Sequence, residues 1–123
     1  MKGYDKMNVN KIILSGNLVR DMEVVTLKST VLGNITIANN RGYGDNEKTN
    51  FIRCTIFGEK RVEGLEKLLV TGTGVIVTGE LEVTSKETDD GWVTFTNIIV
   101  DDIEITRFKN TEEEPKKGKS KRR

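Results

Sequence analysis

Apolar and polar residues alternate along most of this chain, the period-two pattern of strands with one covered face. In Asn10–Leu18, Ile12, Leu14, Gly16 and Leu18 share a face, and Lys11, Ser15 and Asn17 lie opposite. Glu23–Leu27 reads as a continuation of that strand, and Lys28-Ser29-Thr30 as a hairpin turn. Val31–Asn40 sets Ile35 and Ile37 against Asn34, Thr36 and Ala38, and the polar, glycine-bearing stretch Arg41–Thr49 reads as a loop. The cleanest alternation is Asn50–Phe57, with Ile52, Cys54 and Ile56 against Phe51, Arg53, Thr55 and Phe57. The period then changes. In Glu59–Val70 the apolar residues Val62, Leu65, Leu68 and Leu69 fall at helical spacing, with Gly64 a weak point inside, and Thr71–Gly74 ends the helix. Two further strands, Val75–Thr84 and Trp92–Thr106, are joined by the polar turn Ser85–Gly91.

These elements predict an all-β fold with one short helix. A single helix between the third and fourth of five strands does not fit a parallel α/β layout, where helices alternate with strands. It fits a five-stranded Greek-key barrel of the OB type, in which one helix plugs the barrel end. The chain has 123 residues, one domain's worth. The reading divides it into an N-terminal extension (residues 1–9), the barrel domain (10–109) and a charged tail (110–123) with nothing apolar to bury, expected to be disordered.

Composition removes whole classes of chemistry. There is no histidine and only one cysteine, so no Ser-His or Cys-His pair, no zinc site of the Cys/His kind and no internal disulfide can form. Adjacent carboxylates, Asp89-Asp90 and Asp101-Asp102, point to opposite faces of a strand and do not converge on a metal. No enzyme, metal or cofactor is expected. No apolar run is long enough to span a bilayer and Met1–Lys6 has no signal-peptide core, so a cytoplasmic protein is expected. Through residue 110 the net charge is −2; residues 111–123 carry +3. Bulk charge therefore does not mark the body as a nucleic-acid binder, and such a reading must rest on where residues are placed.

The third strand carries the most informative placement. If Ile52, Cys54 and Ile56 face inward, the pleat turns Phe51, Arg53, Thr55 and Phe57 outward together. Exposed phenylalanines flanking an arginine are either packing against a neighbouring loop or subunit, or a stacking platform for bases with a phosphate contact beside it. Alternation alone leaves both open. Arg41-Gly42-Tyr43-Gly44 mounts a tyrosine and an arginine on a glycine-bearing loop, a solvent-exposed turn or a second stacking point. Trp92 lies just beyond a turn, where it stacks on a ligand or fills the barrel mouth, and Lys86 across that turn is a phosphate candidate.

Several motifs taken together resemble the bacterial and phage single-stranded DNA-binding proteins. They are Asn10-Lys11-x-Ile13-Leu14-x-Gly16-Asn17-Leu18-x-x-Asp21-x-Glu23-Val24, Asn34-Ile35-Thr36-Ile37-Ala38 and Thr49-x-Phe51-x-Arg53-Cys54-x-Ile56-Phe57-Gly58. Lys67-x-Leu69-x-x-Gly72-x-x-Val75-x-Val77-x-Gly79-x-Leu81 completes the set. The resemblance runs in one register from about Asn8 to Ile105. It implies an OB-fold core and a homotetramer around which single-stranded DNA wraps. The implied role is non-catalytic: coating and protecting the strand in replication, recombination or repair. Tyr43, Phe51 and Phe57 match the family's stacking aromatics, and Arg53, Arg41, Lys86 and Trp92 complete the expected contact set. The family's aromatic on the last hairpin is missing, and Lys86 stands near its place. Typical members end in an acidic tip that recruits replication enzymes. This chain ends Lys116-Lys117-Gly118-Lys119-Ser120-Lys121-Arg122-Arg123, so recruitment by that route is not expected. A short basic tail suits a phage or mobile-element protein. The other classes that remain are a primosome-like protein-interaction module and an RNA-binding module.

Overall fold

Alternation of the kind read above produces six strands in the computed structural model, which describes residues 7–108. They are β1 (Ile12–Leu18), β2 (Glu23–Thr26), β3 (Val31–Arg41), β4 (Lys48–Phe57), β5 (Gly74–Thr88) and β6 (Gly91–Arg107). The helix α1 (Glu59–Leu65) lies between β4 and β5, and a 3-10 turn, Gly44–Asn46, lies between β3 and β4. The strands form one sheet in the order β1-β5-β6-β4-β3-β2, and the end of β1 pairs again with β3 through Asn17–Ala38 and Leu18–Ile37. Neighbours are antiparallel except β4 and β6, which run parallel at Cys54–Ile98 and Thr55–Ile99. The tail and residues 1–6 of the extension lie outside the described residues.

The expected five-stranded Greek-key barrel is thereby corrected to a six-stranded mixed sheet. The extra strand comes from a corner at Val19–Met22. There the Val19 N–H donates to the Thr36 carbonyl and the Met22 N–H to the Leu69 carbonyl, at 3.0 and 2.9 Å. Buried Met22 packs its sulfur over Gly33 and turns the chain, so Glu23–Thr26 pairs with β3 instead of continuing β1. The parallel pair arises because α1 and β5 intervene between β4 and β6, which no hairpin could join in that sense.

Inward rows from five strands meet in one core: Leu18, Ile35, Ile37, Cys54, Ile56, Val75, Val77, Ile98 and Val100, closed by Val62 and Leu69. Close passage of β1 over β3 requires Gly16, since a Cβ there would collide with the Ala38 carbonyl and the Ile37 side chain. The helix is shorter than its periodicity predicts. Beyond Leu65 the chain tightens into turns, where Thr73 Oγ1 donates to the Leu68 carbonyl at 3.0 Å, and Asp21 Oδ1 accepts from both the Thr71 N–H and hydroxyl. The β5–β6 hairpin is longer than predicted. Its pairing runs out to Thr88–Gly91, and the turn is made by Asp89 and Asp90 alone. Among the described residues no helix is long and apolar enough to cross a membrane.

Candidate functional site

Flanked by β3 and β6, the outer row of β4 forms the middle of one sheet face. Phe51 is 66% exposed and Phe57 42%, with Arg53 exposed between them. Across the antiparallel β3 the same face presents Ala38 opposite Phe51, Thr36 opposite Arg53, Asn34 opposite Thr55 and Leu32 opposite Phe57. Ala38 is too small to cover the Phe51 ring, which leaves that face of the aromatic open.

Thr55, expected outward with its row, is only 7% exposed. The alternation is intact, but at this level β4 has a strand on both sides, and neighbouring side chains close over the hydroxyl. Asn97 Nδ2 donates to Thr55 Oγ1 at 2.9 Å, and Thr55 Oγ1 donates to Asn34 Oδ1 at 2.9 Å. A polar relay therefore crosses β6, β4 and β3 between Arg53 and Phe57 of the outer row. Cys54, on the other side of β4, is buried, and its thiol is pushed up to about 12, so it offers no thiolate near neutral pH.

The remaining predicted residues do not all come together. Tyr43 is almost fully exposed at the tip of the β3–β4 hairpin, held out between Gly42 and Gly44, both at positive φ (90° and 56°). Arg41 pairs with Lys48 at the base of that tip, and alternation places both on the face away from Phe51. On the β5–β6 hairpin, Lys86 lies opposite Val93, in one row with Phe95 and Asn97. That row is continuous with the Phe51 face, because Asn97 touches Thr55. Trp92, 71% exposed, lies in the other row with Thr96 and Ile98, so it turns away from the Phe51 face. Phe95, half exposed, is the residue that sequence reading missed. It stands in the same row as Asn97, whose amide bonds Thr55 on the Phe51 face. The signal was present: with Ile98 and Val100 inward, alternation sends Phe95 outward. Among the described residues no three His, Cys, Asp or Glu side chains gather as a metal site.

Comparison with known proteins gives a consistent answer. The profile of the Single-strand binding protein family matches residues 9–106. A single-stranded DNA-binding protein 1 of Staphylococcus aureus is 33% identical over 111 residues, which cover 85% of this chain and 70% of that one. The single-stranded DNA-binding protein of Borreliella burgdorferi is 33% identical over 106 residues, covering 80% of this chain and 70% of that one. Among solved structures, a Plasmodium falciparum SSB complex with ssDNA superposes with a TM-score of 0.73 at 24% identity. That match covers 81% of this chain and 96% of the other.

Proposed function

The chain belongs to the single-strand binding protein family, and from that premise we propose that it coats single-stranded DNA by stacking bases on exposed aromatics and pairing phosphates with nearby cations. It is a binding protein, not an enzyme. The observation that carries the reading is the β4 row. Two phenylalanines stay uncovered around an exposed arginine, on a face that the Asn97–Thr55–Asn34 relay ties across three strands. Rings left open on a rigid sheet bind bases without regard to sequence, because every base has a π-face. The S. aureus and B. burgdorferi relatives are named for the same ligand.

In this reading residues 10–109 are the binding domain. Phe51, Phe57 and Phe95 stack bases, Tyr43 adds a stack from the hairpin tip, and Arg53 and Lys86 meet phosphates. Arg41 serves only where the strand rounds the β3–β4 tip, and Trp92 lies off the main path. Coating of this kind serves replication, recombination and repair in the cytoplasm. Assembly as a homotetramer is part of the proposal. Among the described residues, Ile12–Leu14 of β1 pair only with β5, leaving the other edge open there beside the exposed Ile13.

Titration of labelled oligo-dT, its RNA counterpart and duplex DNA with the protein, followed by fluorescence anisotropy at two salt concentrations, tests the reading. Tight, salt-dependent binding of oligo-dT with weak duplex binding is expected. Equal affinity for duplex, or none for any strand, would defeat it. A monomer by light scattering at micromolar concentration removes the tetramer.

A further inference from the structure

Beside the Phe51–Arg53 row lies a recess of about 460 Å³, more than a flat stacking surface requires. Arg20, Glu23, Asn34, Thr36, Phe51 and Arg53 line it. Two guanidinium side chains thus share one recess with a single carboxylate and an open aromatic ring.

The relay determines what Asn34 offers there. A hydroxyl has one proton to give. Thr55 Oγ1 accepts from Asn97 Nδ2 and donates that proton to the Asn34 oxygen. The Asn34 amide is therefore oriented with its oxygen committed to Thr55, and its Nδ2 has no protein acceptor among the described residues. An oriented amide donor beside an aromatic wall is suited to the edge of a base, and paired arginines are suited to phosphate.

We propose that this recess takes one nucleotide of the bound strand, with its base against Phe51, a base carbonyl accepting from Asn34 Nδ2, and its phosphate between Arg20 and Arg53. The inference rests on the single-strand reading and adds a hydrogen bond to a base edge at one position. The carbonyls of thymine, guanine and cytosine and the ring nitrogens of adenine can each accept from Nδ2, so the contact requires an acceptor on the base rather than one particular base.

The test scans the shortest oligo-dT that saturates the protein, replacing one thymine at a time with 2,4-difluorotoluene deoxynucleotide. This analogue keeps thymine's shape but lacks its carbonyl acceptors. The wild type is expected to lose about three- to ten-fold in affinity at one position, the scale of one net hydrogen bond. Asn34→Asp keeps an oxygen for Thr55 and removes the N–H donor, so the position dependence is expected to vanish. Arg20→Gln is expected to lower the slope of log K against log salt by about 0.7, one single-strand phosphate contact. A flat scan in wild type that still binds oligo-dT overturns the proposal and leaves the single-strand reading intact. The same dip persisting in Asn34→Asp also overturns it, and an unchanged slope in Arg20→Gln overturns its phosphate half. Failure of the wild type to bind oligo-dT at all defeats the parent reading instead.

Discussion

Phe51 and Thr55 stand four residues apart on the same face of β4, yet one is open to solvent and the other enclosed. The difference lies in their neighbours: Ala38 leaves Phe51 bare, while Asn34 and Asn97 close over Thr55. Exposed rings contribute little to the core, so Phe51→Ala and Phe57→Ala should each retain the fold. Each should weaken single-strand binding by roughly 1–3 kcal/mol per lost stack, read by titration alongside a thermal melt. Unfolding of both variants would show that the rings serve packing instead. Cys54 makes a different kind of prediction. Burial pushes its thiol up from 9.0 to about 12, so below pH 9 both folded and unfolded states keep the proton and stability does not respond. As pH rises from 9 towards 12 only the unfolded thiol ionises, and stability falls by up to ~1.4 kcal/mol per unit. Between about pH 8 and about pH 10, the unfolding free energy read from urea titration should fall by about 1.4 kcal/mol more in the wild type than in Cys54→Ala.

At the scale of elements, α1 and the β5–β6 hairpin depart most from simple periodicity. The helix is held by buried Val62 and by Arg61, whose guanidinium donates to the carbonyls of Val100 and Asp101 at 3.5 and 3.2 Å. Gly64 contributes nothing to that anchorage, and a Cβ there would meet no atom within 4 Å. Gly64→Ala should therefore stabilise the protein by about 0.5–1 kcal/mol, seen as a raised Tm. The hairpin extends past the core with a different row on each face. Phe95→Ala should weaken single-strand binding, and Trp92→Ala should leave affinity nearly unchanged while removing most of the fluorescence signal. Affinity is therefore best read by anisotropy of a labelled strand. The reverse ranking would place the strand on the opposite face of the hairpin.

For the whole molecule, electrostatics separates body from tail. Residues 1–110 carry a net charge of −2, so the body attracts a phosphate backbone only through local groups such as Arg20, Arg53 and Lys86. On the proposed reading, the six basic residues between Lys116 and Arg123 add sequence-independent attraction at a distance. Removing residues 111–123 should lower affinity and flatten the salt dependence, each lost phosphate contact taking about 0.7 from the slope. A gain in affinity would mean that Glu112-Glu113-Glu114 outweigh the lysines by competing with DNA.

Much of this protein was legible in its sequence, because period-two alternation and local turn chemistry act between near neighbours. Ile52, Cys54 and Ile56 had to face one way and Phe51, Arg53 and Phe57 the other, whatever the partners of β4. The same rule, applied to Trp92–Ile98, contained Phe95 as well. Tertiary structure decided what depends on residues far apart in the chain. The corner that makes β2 a separate strand needs Met22 over Gly33 and the Leu69 carbonyl. The burial of Thr55 needs Asn34 and Asn97, twenty-one and forty-two residues away. The recess needs Arg20 brought beside Arg53. Alternation assigns each side chain to a face; only the pairing of strands determines what lies beside it there.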